Sequence, residues 1–241
     1  NGNLTLSSTG SSLIQVAHTS SSNEFNGNIV LNSTGTSQGV KFGQNGGTAT
    51  LASTKTVTSG GSGFSSGELA FRGFTQNGST AQSMTSFSGS TSLIFETGTV
   101  FNGNATFSCP RLFLNGATFN GSATLTKNGT SSDACNGGNT FASATTIINS
   151  GSGELLLGNT DPDIFNGDLV LENSGSDVIN LAYGSTGNEF NGNIELNSVG
   201  SSSGIRFGQN AGTSTLASSK TLSIGGSGFT SGDLRFAYFT Q

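Results

Sequence analysis

The sequence predicts an all-β fold, a right-handed parallel β-solenoid (β-helix) built of coils of about 20–25 residues. Three observations predict it: the composition, an internal repeat, and short alternating strands that follow a recurring Phe-Asn-Gly motif. Ser, Gly, Thr and Asn number 40, 38, 31 and 25 in the sequence. This composition is typical of many tight turns, whereas 18 phenylalanines spread along the chain can supply a thin, continuous core.

The internal repeat is long, since residues 166–241 match residues 1–76 with 46 identities in 76 positions. The block Asn23–Ile29 recurs unchanged as Asn188–Ile194. Residues 1–76 are therefore the C-terminal part of one 165-residue unit, and residues 77–241 are one complete unit. We expect a continuous solenoid that is a segment of a longer tandem array.

A shorter period lies within the unit and is marked by Phe-Asn-Gly, with Phe-Ala-Ser as a degenerate form. An alternating apolar run follows each motif, as in Leu169 and Leu171, and this pattern indicates a strand with one buried side. In stacked coils the motif phenylalanines should lie above one another and form a core column. The predicted members of the column are Phe25, Phe101, Phe119, Phe141, Phe165 and Phe190.

Gly and Asn supply the corners between strands, because both tolerate backbone conformations that other residues avoid. One coil of two or three short strands with such corners cannot be stable alone and must stack on its neighbours. A tandem array of β-sandwich domains, one per repeat unit, is the alternative fold, because it also has many short strands and polar turns.

Charge and hydropathy exclude several classes of partner. The chain has 8 Lys and Arg against 13 Asp and Glu, a net charge of −5, and no basic cluster. We therefore expect no binding to nucleic acid. No apolar run approaches the roughly 18 residues that a membrane-spanning helix needs, so we expect no membrane insertion.

The sequence offers no catalytic constellation, and we expect no enzyme activity and no cofactor. The single histidine, His18, corresponds to Tyr183 in the second copy, which argues against a base used in every unit. A carbohydrate-active β-helix enzyme, of the polysaccharide lyase or hydrolase type, is the alternative function. It requires clustered carboxylates, and the acids here are dispersed.

One local group of acids could bind a cation. Asp161, Asp163 and Asp168 are close together in the sequence, and their oxygens are suitable ligands for Ca²⁺. Asp168 corresponds to Asn3 in the other copy, however, and the sequence lacks a calcium-loop pattern. Turn formation by Asp and Pro is the competing interpretation, so the expected number of metal sites is none.

Three segments carry a resemblance to a known group of proteins: Phe25–Ser33 (FNGNIVLNS), Gly39–Gly47 (GVKFGQNGG) and Gly60–Leu69 (GGSGFSSGEL). Together they resemble repeats of very large secreted surface proteins of the Bacteroidota, which include gliding adhesins and grappling-hook filaments. The resemblance covers essentially the whole chain, and its motifs are compositional. It implies an extracellular, cell-surface fibre exported by type IX secretion.

Cys109 and Cys135 are the only cysteines, and their separation in the sequence corresponds to about one coil. In an oxidising extracellular environment such a pair is expected to form a disulfide between successive coils. Two unpaired buried thiols are the alternative. Two cysteines with no histidine nearby do not make a tetrahedral zinc site.

These observations together predict a non-enzymatic adhesive or structural filament for surface attachment, gliding or prey capture. Expected partners are further copies of the chain in a filament or bundle, and cell-surface glycans. A passive spacer that presents a separate tip domain is a further alternative.

Overall fold

The alternating runs form thirty short β-strands in coils of three. In the computed structural model, which describes residues 2–241, almost every strand pairs in parallel with the third strand after it. The chain therefore winds into a parallel β-solenoid of about nine turns with three faces, which confirms the predicted fold class. Two 3₁₀ turns, Gln44–Gly46 and Gln209–Ala211, lie at equivalent corners of the two copies.

Each face carries ten strands. The first face contains β1 (Leu4–Ser8), β4 (Ile29–Ser33), β7 (Val57–Phe64), β10 (Gln82–Met84), β13 (Ala105–Cys109), β16 (Ala123–Lys127), β19 (Thr145–Asn149), β22 (Leu169–Asn173), β25 (Ile194–Ser198) and β28 (Leu222–Phe229). The second contains β2 (Ile14–Val16), β5 (Gly39–Phe42), β8 (Glu68–Phe71), β11 (Ser92–Glu96), β14 (Arg111–Asn115), β17 (Asp133–Ala134), β20 (Leu155–Leu156), β23 (Ile179–Leu181), β26 (Gly204–Phe207) and β29 (Asp233–Phe236). The third contains β3 (Asn23–Phe25), β6 (Ala49–Leu51), β9 (Phe74–Gln76), β12 (Val100–Phe101), β15 (Thr118–Phe119), β18 (Thr140–Phe141), β21 (Ile164–Phe165), β24 (Asn188–Phe190), β27 (Ser214–Leu216) and β30 (Phe239–Thr240).

The parallel pairing excludes the alternative of a tandem β-sandwich array. A sandwich connects neighbouring strands by hairpins and pairs them antiparallel. Here Leu4 of β1 pairs with Ile29 of β4, and β2 and β3 lie between them on the other two faces. The third face is one continuous sheet of ten strands, so no domain boundary interrupts the solenoid.

Coil length varies more than the sequence suggests. The shortest coil on the first face runs from Ala105 to its partner Ala123. The longest coil runs from Ile29 to its partner Val57, and its equivalent in the second copy has the same length. The difference is absorbed partly at the corners and partly by β7, where the register shifts after Leu31. The strands themselves stay aligned, so inward-facing residues stack throughout.

Five of the six motif phenylalanines form one column along the third face. Successive ring centroids are 5.8, 5.3, 4.7 and 5.4 Å apart, and the rings are nearly parallel. The members are Phe101, Phe119, Phe141, Phe165 and Phe190, all at most 2% exposed. Parallel strands alone bring these rings into contact, because each pair occupies the same register position one coil apart.

Phe25 occupies the same register position but does not stack directly on another motif phenylalanine. Leu51 and Gln76 occupy the two register positions between Phe25 and Phe101. Phe25 instead packs edge-on against Phe42 with centroids 6.3 Å apart. Gln76 is fully buried, and its Oε1 accepts hydrogen bonds from the backbone N–H groups of Asn102 and Gly103, so its polar side chain is satisfied inside the core.

The glycine of the Phe-Asn-Gly motif is needed because successive coils approach closely there. A Cβ on Gly192 would overlap the carbonyl group of Gly167 in the preceding coil. Its φ is not positive, so backbone conformation is not the reason. Positive φ is instead found at other corners, such as Gly43 and Asn45 beside the first 3₁₀ turn.

Candidate functional site

The three aspartates considered as candidate calcium ligands lie in different environments. Asp161 is exposed at a corner, where its Oδ2 accepts a hydrogen bond from Thr160 at 3.2 Å. Asp168 is exposed and accepts a hydrogen bond from the backbone N–H of Asn193 at 2.8 Å, which links it to the next coil. Asp163 is buried. Within residues 2–241 no group of three or more His, Cys, Asp or Glu side chains is arranged to hold a metal ion.

Asp163 is part of a buried polar network at the start of the third-face strands. Its Oδ1 accepts hydrogen bonds from the backbone N–H and the side-chain amide of Asn139, at 3.0 and 2.8 Å. Its own backbone N–H donates to Asn188 in the following coil at 2.8 Å. Burial raises the pKa of Asp163 to about 6, while the Asn139 hydrogen bonds act in the opposite direction. The network therefore connects three coils and has a structural role.

The predicted disulfide is not formed, and the structure holds Cys109 and Cys135 as buried free thiols. The reason is the local coil length: the coil after Cys109 is so short that Lys127 is the residue that stacks on it. The two sulfur atoms contact different carbonyl oxygens, those of Arg111 at 3.2 Å and Leu112 at 3.4 Å. Burial raises the pKa of both thiols above the ordinary value.

A row of polar groups crosses the second face of the later coils. Asn180 stacks on Arg206, which in turn stacks on Arg235. The side-chain amide of Asn180 donates to Glu154, and burial raises the pKa of that carboxyl group. Among the described residues, Asn180 Oδ1 and Arg206 Nε have no hydrogen-bond partner. The row therefore contains one unpartnered acceptor and one unpartnered donor, and both atoms are buried.

The second face also carries an ion pair that recurs in both copies. Lys41 pairs with Glu68 in the next coil. The equivalent Arg206 Nη2 lies 3.9 Å from Asp233 Oδ2, so both charges keep their sign and their place. Both pairs are partly exposed, and their contribution to stability is expected to be below about 1 kcal/mol each.

Large exposed apolar side chains are confined, among the described residues, to the last coil. Ile224, Phe236 and Tyr238 are 49%, 46% and 63% exposed. Phe71 is the counterpart of Phe236 one repeat earlier, and it is 0% exposed because Phe95 of the next coil stacks on it with centroids 5.8 Å apart. The apolar surface of the last coil is therefore of the kind that another coil covers elsewhere in this solenoid.

The described part of the chain contains no helix long and apolar enough to cross a membrane. Comparisons with protein-family models, with curated proteins and with solved structures gave no match to this chain.

Two buried polar residues were not predicted from the sequence. Lys127 and Asn149 end β16 and β19 and are both 0% exposed. The strand Ala123–Lys127 alternates, and Lys127 shares the inward positions of Ala123 and Leu125. That alternation is the signal that could have revealed it, because a lysine at an inward position conflicts with its usual preference for water.

Proposed function

We propose that this chain is a segment of a non-enzymatic extracellular filament, a tandem-repeat β-solenoid rod with an adhesive or structural role. The continuity of the two repeat copies carries the proposal. Asn23–Phe25 and its repeat Asn188–Phe190 are strands of one ten-stranded sheet, and no break separates the copies on this face. Equivalent parts of successive units thus stack in one solenoid, as a rod built of tandem repeats requires.

The core supports a mechanical role. The column from Phe101 to Phe190 connects five successive coils, and a second column of Phe42, Phe71 and Phe95 connects three. Parallel hydrogen bonds join the strands of each face along the axis. Because every coil contacts only its neighbours, stability and stiffness accumulate with the number of units rather than with the size of one domain.

For an adhesive role rather than a passive spacer, the candidate contact groups on the second face are the side chains of Arg206 and Asp233, which are 22% and 55% exposed. Guanidinium and carboxylate groups can form hydrogen bonds with the hydroxyl groups of neutral glycans, and weak sites repeated along an array gain avidity. The resemblance to secreted adhesins and filaments of the Bacteroidota, exported by type IX secretion, points to the cell surface. Bundling of several rods belongs to the same proposal.

The array part of the proposal is tested with chains of one, two and three 165-residue units. One unit spans seven turns, from Leu4 through Ile29, Val57, Gln82, Ala105, Ala123 and Thr145 to Leu169, as the strand registers and their repeat show. At about 4.8 Å per turn, electron cryomicroscopy should show rods that lengthen by about 34 Å per unit. Separate beads would contradict the filament.

The adhesive part is tested by glycan-array binding of the three-unit chain, compared with a chain that carries Arg206→Ala and Asp233→Ala in every unit. We expect binding that depends on these residues. Lys220→Ala in every unit is the control, because it removes a cation from the corner between β27 and β28, away from the second face. No binding by any chain would favour the passive spacer, and identical binding by all chains would contradict the assignment of binding to Arg206 and Asp233.

A further inference from the structure

The last residues of consecutive first-face strands form a buried column that contains a lysine. The parallel register stacks these residues coil upon coil, and each of them is at most 1% exposed. The members, in order, are Cys109, Lys127, Asn149, Asn173 and Ser198. A lysine is rarely buried to this degree, so its surroundings need an explanation.

Lys127 and Asn149 are directly adjacent in this column and meet at one oxygen atom. Lys127 Nζ donates to the backbone oxygen of Gly153 at 2.9 Å. The side-chain amide nitrogen of Asn149 donates to the same oxygen at 3.1 Å. Because both nitrogens contact this one oxygen, at 2.9 and 3.1 Å, they are at most 6.0 Å apart. Nζ also donates to the oxygen of Gly129 at 3.0 Å, which fixes the end of the lysine side chain.

The carboxamide of Asn149 is only half satisfied. Its side chain is 0% exposed, and its Oδ1 has no hydrogen-bond partner among the described residues. An unpaired buried carbonyl oxygen costs free energy in a core where most polar atoms are paired. The carboxamide that carries this unpaired oxygen and the buried amine thus lie on adjacent coils and donate to the same acceptor, the oxygen of Gly153.

The charge state of Lys127 is compatible with nucleophilic chemistry. Burial lowers the pKa of its amine, which favours the neutral form with a free lone pair. The charges of Asp133 and Asp177 act in the opposite direction, and that of Arg111 acts with the burial. Asp133 is itself buried, and its Oδ1 accepts a hydrogen bond from Arg111 Nε at 2.9 Å.

We propose that Lys127 and Asn149 form an intramolecular isopeptide bond that joins two adjacent coils covalently. The lone pair of Nζ attacks Cγ of Asn149, and the carbonyl electrons move to Oδ1. One proton passes from Nζ to Nδ2, the carbonyl re-forms as the Cγ–Nδ2 bond breaks, and ammonia leaves. No oxidant, reductant or other co-reactant takes part. The product is a secondary amide between the two side chains, and it removes a buried amine from the core.

The bond would give each 165-residue unit one covalent staple between coils. Both residues lie in the segment 77–165, which occurs once per unit. Such a link closes the loop from Lys127 to Asn149 and restricts the unfolded chain in the way that a disulfide does. It is insensitive to reduction. This inference goes beyond the filament proposal and does not depend on it.

Intact mass spectrometry of the purified 241-residue chain tests the proposal. We expect a mass lower by one ammonia molecule than the sequence mass. Trypsin should fail to cut after Lys127 and should release the segment 112–206 as one peptide that carries the same loss. The variants Lys127→Met and Asn149→Ala should both return to their full sequence masses. Asn173→Ala is the matched control, because Asn173 is the next buried amide in the column but stacks on Asn149 rather than on a lysine. It should keep the loss.

A full sequence mass in a wild-type chain that shows the far-ultraviolet circular dichroism of a folded β protein would overturn the proposal. So would a loss of ammonia that persists in Lys127→Met, because a succinimide at an Asn-Gly pair has the same mass change and does not need the lysine. Lys127→Arg provides a second variant that keeps a long cationic side chain and lacks the nucleophile. It should be folded and should have its full sequence mass.

Discussion

Cys109 and Lys127 occupy the same register position on β13 and β16, one short coil apart, and both side chains are fully buried. The lysine therefore takes the place above Cys109 that a second cysteine would need for a disulfide. Cys135 lies beyond β17 on another face, and its sulfur contacts the carbonyl oxygen of Leu112. The two sulfur atoms thus contact the carbonyl oxygens of consecutive residues, Arg111 and Leu112, and are not bonded to each other.

The first prediction concerns thiol reactivity. Burial raises the pKa of Cys109 and Cys135, and their exposed fraction is 0%, so the native chain should not react with iodoacetamide at about pH 8. After denaturation without reductant both thiols should be alkylated, as mass spectrometry can count. If the denatured chain takes up label only after reduction, the cysteines are paired and the sequence-based expectation of a disulfide is restored.

The second prediction concerns the phenylalanine column. Phe190 is 1% exposed and stacks on Phe165 with centroids 5.4 Å apart. Phe190→Ala should lower the free energy of unfolding by about 3–5 kcal/mol, because it leaves a cavity in a continuous column. Phe236→Ala, at a position that is 46% exposed, is the control and should cost clearly less. Denaturant titration followed by circular dichroism measures both, and equal costs would refute the role of the column.

The third prediction concerns the motif glycine. Gly192→Ala should be destabilising by about 1–3 kcal/mol, because the added methyl group would overlap the backbone of the preceding coil. Gly226→Ala is the matched control, since nothing lies within 4 Å of its added Cβ and its φ is not positive. Thermal unfolding of the two variants should separate them. Similar melting temperatures would mean that the coils move apart without cost.

The fourth prediction concerns pH. The pKa of Asp163 is raised from 3.8 to about 6 in the folded chain, so the folded state holds this proton more tightly than the unfolded state. The corresponding stability is fully present below about pH 4 and is lost as pH rises through about 6. Glu154 and Asp133 have raised pKa values as well, so the variant Asp163→Asn is needed to isolate this contribution.

Unfolding experiments across this pH range should show a steeper fall of stability in the wild-type chain than in Asp163→Asn. The matched control is Asp168→Asn, because Asp168 is exposed and is not among the groups that shift the pKa of Asp163. Its pH profile should follow that of the wild type. Parallel profiles for the wild type and Asp163→Asn would show that Asp163 titrates equally in the folded and unfolded chains.

Local patterns in the sequence predicted the fold class well. Period-2 alternation after Phe-Asn-Gly placed the strands, and the motif placed Phe101 to Phe190 in one column, because parallel coils stack identical register positions. Phe25 lies at the same register position, but Leu51 and Gln76 separate it from Phe101. The coils between Phe25 and Phe101 lack the motif. Gln76 lies in the core there, and no sequence pattern predicts the hydrogen bonds that satisfy its side chain.

The expected disulfide is absent for a related physical reason. The expectation assumed a coil of average length, whereas the coil after Cys109 is the shortest on its face. The close spacing of the motifs at Phe101 and Phe119 already contained that information. The three candidate calcium ligands do not form one site, because closeness in the sequence does not determine where side chains point. Asp163 points inward, while Asp161 and Asp168 are exposed.

The unequal coils have a consequence for engineering. Coils as different in length as the one that begins at Ala105 and the one that begins at Ile29 occur in one solenoid while the strands keep their alignment. The corners therefore tolerate changes of length, with register shifts, among the described strands, only at β7 and its equivalent β28. A foreign peptide inserted at the same corner of every unit would be displayed along one side of the rod at intervals of about 34 Å, since seven turns at about 4.8 Å separate equivalent positions. The rod therefore offers insertion sites at a fixed spacing, and the corner that carries them can be chosen.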